Sequence, residues 1–559
     1  MAQQSGAPKM IAGSAELVIV PLIFYLVCFY LLSFPQLHQF STHYFTDEGD
    51  GLGNIWNLWW INKAIIELHQ SPWHTTFLYY PYGTSLLSHT LNPFNGLMAI
   101  VLMRLMTQVQ VYNFIMIFTF VVSGLTAFLL AREFTKSYPA CLLAGFVFTF
   151  SEYHFGHAQG NLNLLSMEWL PLFMLCWYRL ITKPRVVTGV VAAGTLFLVL
   201  LCDYYYFLYC VIAGLLVFIW HWIRSRDWLF FLRPNYAHAL GAFLLVTLIT
   251  AGPLVISLLV LLVRDTPSGA HDPASFSLDL LGLFIPGRYW RFYELTSFYW
   301  DGLNDTVEKS VHIGFAVLFI LGYVWIKRKH LHEAVGLWFL IFVVFAVVAL
   351  GPVFHLGVHE IHFPLMPYTV FVKIIPGMSL GGMPVRMVVM AILAASVLAA
   401  LGFGELLRHQ RWSVGSVAFV AMLLAVLVFE YLPGPFPARE NPLPDFVREL
   451  KKLPDGAIYD ARSSKFHALY YQTIHQRPMA FGYISRVPKS VDAKSTELRQ
   501  VFEMGDYEKL YREYGFRYLI LPHGMNPLTT VGSPLYQDND AQIYDLSNVR
   551  HEQSQAHAF

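Results

Sequence analysis

Apolar runs recur along most of the chain, each closed by a short polar stretch. They lie near 15–34, 112–131, 139–153, 165–181, 187–204, 207–223, 237–263, 311–326, 334–352, 385–406 and 413–431. Taken as helices crossing a bilayer at about 20 residues each, they predict an α-helical polytopic membrane protein of about eleven spans, with 139–153 the shortest. The first run follows Lys9, and no small-residue cleavage site comes before Ser33-Phe34-Pro35, so it reads as an uncleaved span and not as a signal peptide. The run at 92–106 stays outside the count, because Asn92-Pro93, Asn95-Gly96 and Arg104 interrupt it. It reads as a re-entrant or interfacial helix inside a first loop of about 35–111, long enough to signal a function.

From about 435 the pattern changes to that of a soluble domain. Residues 445–450 read as a helix, 457–460 as a strand, 496–513 as a charged amphipathic helix, and 515–522 and 542–546 as further strands. The expected division is therefore a transmembrane domain at 1–434 and a small α/β domain at 435–559, with 551–559 a frayed tail. No phosphate-binding glycine loop or known nucleophile motif occurs in this tail.

Charge gives the orientation. Arg132 and Lys136, then Arg179, Lys183 and Arg185, then Arg224, Arg226 and Arg233, then Lys327, Arg328 and Lys329, then Arg408 and Arg411 fall on alternate loops, the side shared with Lys9. The positive-inside rule makes that side cytoplasmic. The loops of about 35–111, 264–310 and 353–384 and the tail are then expected on the exoplasmic face.

Composition agrees with a membrane chain: 56% of the 559 residues are hydrophobic and 13% charged, against about 25% charged in soluble domains. With 37 basic and 36 acidic residues the net charge is +1, which leaves no basic stripe for a nucleic-acid partner. Cys28, Cys141, Cys176, Cys202 and Cys210 all fall in apolar runs at no metal-like spacing, as packing residues do.

Candidate chemistry concentrates on the exoplasmic side. Thr46-Asp47-Glu48-Gly49-Asp50-Gly51 places three carboxylates just after the first span, ahead of Asn54-Ile55-Trp56-Asn57-Leu58-Trp59-Trp60, whose tryptophans suit a helix at headgroup level. Tyr79-Tyr80-Pro81-Tyr82-Gly83 and His89 follow, and rings such as Tyr82 suit a sugar face, a lipid headgroup or plain interfacial anchoring. The next exoplasmic loop holds His154 and His157. Three apart, they suit a divalent metal with Asp47 or Asp50, or a phosphate, or each other's backbone. Asp203 stands at another exoplasmic span end, and Arg288 lies in the 264–310 loop. Gly381-Gly382-Met383-Pro384-Val385-Arg386 opens a helix from the exoplasmic side, where an arginine beside a helix start makes an anion site or snorkels to the interface.

Gly49-Asp50 ahead of Trp56, Trp59 and Trp60, then Tyr80-Pro81-Tyr82 with Leu86 to His89, then His157 and Gly160 ahead of Asn163-Leu164-Leu165-Ser166, and Arg386 at a span start form a pattern. In these features the chain resembles the membrane glycosyltransferases of the GT-C fold, and within them a bacterial polytopic group. The likeness is best over the first two hundred residues. The resemblance implies a bacterial inner-membrane enzyme, whose N-terminus the basic loops put on the cytoplasmic side. It would move a sugar from a polyprenyl-phosphate donor to a glycan, lipid or protein acceptor on the exoplasmic face, with inversion. A first-loop carboxylate would act as general base, Asp50 ahead of Asp47, while His89, His157 and Arg386 hold the departing phosphate. Asn161 stands where such chains often carry a second histidine, so no cofactor and no tightly held metal is expected. The competing readings are a carrier or flippase of a lipid-linked or small polar substrate, and a non-catalytic scaffold subunit.

Overall fold

Inside hydrocarbon every backbone N–H and C=O must find a partner in its own segment, so long apolar runs fold as helices. The computed structural model describes residues 15–549 apart from 35, 270, 304–305, 376–377, 410–413 and 436; Lys9, Arg411 and the 551–559 tail lie outside the described residues. Among the described residues, Glu16–Ser33, Gln108–Arg132, Tyr204–Ser225 and Pro384–Arg408 are helices long and apolar enough to cross a membrane. Other expected crossings correspond to shorter helices, among them Tyr138–Thr149, Trp169–Thr182, Val186–Cys202, Phe315–Lys327, Val335–Ala349 and Val414–Glu430. The protein is an α-helical polytopic membrane protein.

The run expected as one span at 237–263 is instead two helices, Pro234–Thr250 and Gly252–Arg264, meeting at 55°. Pro253 lacks the N–H that would continue the ladder, and its ring crowds the carbonyl four residues back, so the helix breaks there. Pro93–Leu102 is a ten-residue helix started by Asn92, whose side chain accepts from the Asn95 N–H. It packs against the Asp50–Asn62 helix.

The chain divides into two units. The first takes its described residues from Met1–Ser41, Asn113–Val255 and Ala270–Pro437. At its centre is the Pro384–Arg408 helix, with 94% of its apolar window buried by protein. A face of Ala391, Ala394, Ala395, Ala399 and Ala400 lets Tyr138–Thr149, Phe315–Lys327 and Val335–Ala349 pack closely around it. Cys141, Cys202 and Cys210 are buried, and all five cysteines are free thiols.

The second unit combines Thr42–Tyr112, Ile256–Gly269 and Ala438–Phe559, so the first loop and the tail share one body. Its sheet has four strands in the order Ala457–Asp460, Phe516–Pro522, Ala541–Asp545, Tyr536–Gln537. The first pair is parallel and the others antiparallel. Helices Asp445–Lys452, Lys465–His475, Lys489–Glu503 and Tyr507–Arg512 accompany it. The helix expected at 496–513 is split in two because Gly505 adopts φ +72° and ends the first piece.

The tryptophans of the first loop are buried by protein. The Asp50–Asn62 helix forms as expected, but Trp56 and Trp60 are fully buried and Trp59 is 7% exposed. They pack against Ala468, Leu469, Met479 and Ile484 of the tail, and the Trp56 indole donates to Gln472 Oε1 at 2.6 Å. The Trp60 indole likewise finds a partner, donating to the Pro72 carbonyl at 3.0 Å. Backbone bonds stitch the same two segments: Tyr44 and Arg439 exchange N–H···O bonds of 2.9 Å, Met479 donates to Phe77 O, and Tyr80 donates to Met479 O.

Candidate functional site

In the first unit the site is built from the turn that feeds the central helix. Gly382 has φ +62°, and a Cβ there would lie 2.0 Å from the His271 carbonyl oxygen, so only glycine fits. Pro384 follows in the first turn, where a missing N–H costs nothing. Arg386 therefore leaves the helix at its opening, 8% exposed. Its Nη2 lies 2.6 Å from Glu308 Oε1 and its Nε 3.2 Å from Oε2, a two-pronged ion pair. The Tyr205 ring stands 5.8 Å from the guanidinium carbon.

His157 belongs to the same cluster. Its ring meets Tyr153 edge-on at 4.4 Å, and the Tyr153 hydroxyl donates to the Arg386 carbonyl at 3.4 Å. Burial brings the His157 imidazole down to about 4 although Glu308 pulls the other way and Asn161 hydrogen-bonds it. Burial pushes the Glu308 carboxyl up, yet Arg386 and His157 outweigh it and hold that carboxyl at about 2. The pair is thus charged across the ordinary pH range.

The other expected residues of this unit have structural duties. Both ring nitrogens of His154 meet backbone carbonyls, Nδ1 that of Thr149 at 2.7 Å and Nε2 that of Leu165 at 2.8 Å, leaving neither for a ligand. Asp203 caps the Tyr204–Ser225 helix: its Oδ1 accepts from the Tyr205 and Tyr206 N–H groups, and its Oδ2 accepts from Asn163 Nδ2 at 2.7 Å. Arg288 has an exposed side chain, and its N–H is spent on Ser310 Oγ at 3.0 Å.

In the second unit the acidic stretch forms the entry to the tryptophan helix. Asp47 Oδ1 accepts from both the Gly49 and Gly51 N–H groups at 3.0 Å. At Gly51 a Cβ would fall 1.8 Å from Thr46 Oγ1, which excludes any side chain. Burial raises the Asp47 carboxyl above its usual range, against the two glycine N–H groups and Arg439, which lower it. Asp50, half-buried, stands in the first helical turn.

His89 does not offer a free nitrogen. Nδ1 accepts the Ser485 N–H at 3.1 Å, and Nε2 lies 2.9 Å from Asn57 Oδ1. Burial drives it down to about 3, so it is a neutral joint between loop and tail. Tyr82 is 38% exposed, with the Lys494 ammonium 4.6 Å above its ring and the Tyr514 ring edge-on at 6.3 Å.

The residue missed by pattern is Glu308. Nothing in Thr306-Val307-Glu308-Lys309 forms a motif, and the available signal was indirect: a buried arginine requires a counter-charge. The metal reading of the histidines does not fit. His154 has no nitrogen left, and among the described residues no group of three or more His, Cys, Asp or Glu side chains is arranged to hold a metal ion.

No curated protein matches the chain. Among solved structures, the arabinofuranosyltransferase AftD from Mycobacteria is similar with TM-score 0.58 and 11% identity, over 95% of this chain and 41% of that one. The present chain thus spans about two fifths of AftD. ArnT from Cupriavidus metallidurans, bound to undecaprenyl phosphate, matches with TM-score 0.47 and 11% identity over 95% of this chain and 98% of its own. The oligosaccharyltransferase AglB from Archaeoglobus fulgidus, in complex with an inhibitory peptide and a dolichol-phosphate, gives TM-score 0.44 and 12% identity over 90% and 69%. The likeness to AftD shows the GT-C fold. The family described as "Domain of unknown function (DUF6311)" matches residues 23–375, more than half of the sequence, and the chain belongs to that family.

Proposed function

We propose that the protein is a membrane glycosyltransferase of the GT-C type. It transfers a sugar from a polyprenyl-phosphate donor to a hydroxyl of an acceptor on the exoplasmic face, with inversion at the anomeric carbon. The membrane part is 1–434, and residues 435–559 lie on the exoplasmic side with the first loop. The observation that carries this reading is the buried guanidinium of Arg386 at the opening of the central helix, 8% exposed and aimed by its neighbours, on a fold that AftD shares.

Asp50 takes the proton from the acceptor hydroxyl as its oxygen bonds to the anomeric carbon, and the bond to the lipid phosphate breaks. Arg386, with His157 beside it, meets the negative charge gathering on the leaving phosphate, where fixed donors in a dry site act most strongly. Asp47 Oδ1 accepts two backbone N–H groups, which makes Asp47 the residue that shapes the loop, and Asp50, in the first turn of the helix that follows, is taken as the base.

The test is a transfer assay with radiolabelled lipid-linked sugar and protein in liposomes. Asp50→Asn keeps shape and hydrogen bonding but removes the proton acceptor, and transfer is expected to fall by about a hundredfold or more at unchanged thermal stability. Asp47→Asn is expected to cost less activity. Full transfer by Asp50→Asn removes this residue from the mechanism.

A further inference from the structure

A guanidinium as deeply buried as that of Arg386 is tolerated only with a counter-charge held in good geometry. Glu308 supplies it, and it does so on the fork, Nη2 and Nε, through which an arginine grips two oxygens of one anion. Glu308 occupies two of the five guanidinium N–H groups, and a phosphate gripped through that same fork needs them as well. Carboxylate and phosphate cannot share them, since two anions a few ångströms apart in a dry site repel strongly. One must yield, and the surroundings decide which. Arg386 is fixed to the central helix, whose apolar window is 94% buried, and its carbonyl is tied by Tyr153. Glu308 stands on a helix of four residues, Thr306–Lys309, in the long loop before the Phe315–Lys327 helix.

We propose that Glu308 is a positioning residue that stands in for the donor's phosphate: it keeps Arg386 aimed, and it is exchanged for the phosphate when the donor binds. This rests on the reading of Arg386 as the phosphate ligand. Discharge of the lipid phosphate is the reverse exchange, with the Glu308 carboxylate returning to the fork. The device explains why a buried carboxylate sits where an anion is expected to bind. It also sets a limit on affinity, because each binding event must first break an ion pair.

The experiment uses the full chain in nanodiscs and undecaprenyl phosphate as the probe, with binding and melting measured on wild type, Glu308→Gln and Arg386→Gln. Glu308→Gln is expected to melt lower than wild type, to bind the probe about tenfold tighter or more, and to regain its lost melting temperature when the probe is added. A purely structural glutamate gives the first effect without the other two, and that result overturns the proposal. Hydrogen exchange on the wild-type protein covers the case in which Glu308→Gln does not fold. Faster exchange at 306–309 on adding the probe is expected, and unchanged exchange at full occupancy overturns the exchange of anions. Arg386→Gln separates the two levels. If it loses the probe while Glu308→Gln binds no tighter than wild type, only the exchange is wrong. If it binds as well as wild type, the reading of Arg386 as phosphate ligand fails and this proposal with it.

Discussion

Ser485 donates its backbone N–H to His89 Nδ1, so the ring proton of the neutral imidazole sits on Nε2, facing Asn57 Oδ1. That arrangement predicts a pH dependence. The folded-state pKa of about 3 lies below the unfolded value of about 6.5, so between them the unfolded chain binds the proton and the folded one does not. Stability is full above about pH 6.5 and falls as pH drops toward 3, by at most about 1.4 kcal/mol per pH unit for one such group. His89→Gln is expected to melt lower at pH 7 but to lose less on acidification, which thermal melts between pH 4 and 7 measure; equal pH slopes in both proteins would refute the assignment. The residue scale is also where sequence reading reached only part of the site. Arg386 was legible as a charged group at a helix opening, because glycines and a proline before an arginine mark one. His89, His154 and Asp203 were legible as polar groups at telling places. Their duties as joint, brace and cap depend on the carbonyls and N–H groups of segments distant in sequence, and no spacing encodes those. Glu308 was invisible for the same reason, being defined by a partner 78 positions away.

At the scale of elements, the Asp445–Lys452 helix ends without a glycine cap. Its terminal carbonyls are instead gathered by Arg477, 4% exposed, whose guanidinium donates to Leu450 O at 3.2 Å, to Pro454 O at 2.5 Å and to Leu453 O. A cation at a helix C-terminus also answers the helix dipole. Arg477→Met removes these bonds and strands the carbonyls, an expected loss of about 3 kcal/mol in the second unit. It would show as a lower melting temperature and as faster amide exchange at 445–452. A melt and exchange pattern like wild type would mean that water replaces the arginine at no cost. Helices were legible at this scale because runs of apolar residues fix them regardless of partners. Their interruptions at Pro253 and Gly505 carried visible signals that a hydropathy window smooths over. What the pattern cannot separate is burial by lipid from burial by protein. Trp56, Trp59 and Trp60 look alike in either setting, and only the tail helix Lys465–His475 packed over them tells which applies.

For the whole molecule, orientation rests on the alternation of basic loops, and it predicts which surfaces an impermeant reagent reaches. In a cysteine-free background, single cysteines at the exposed positions Ser41 and Glu440 are expected to be labelled in intact cells. A cysteine at the exposed Lys329 is expected to react only after permeabilisation. Labelling of one of the first pair without the other would break the topology. The segments of the second unit were each legible, but their union was not, because the contacts joining 42–112 to 438–559 come from residues that only the completed chain brings together. That union has a consequence for biosynthesis. A ribosome adding about 5 to 20 residues per second delivers the tail roughly 20 to 90 s after the first loop. Through that interval the tryptophan helix lacks the partner that covers Trp56 and Trp60. The nascent loop then waits with these indoles uncovered, and a message truncated before codon 438 yields a chain whose first loop can never be closed.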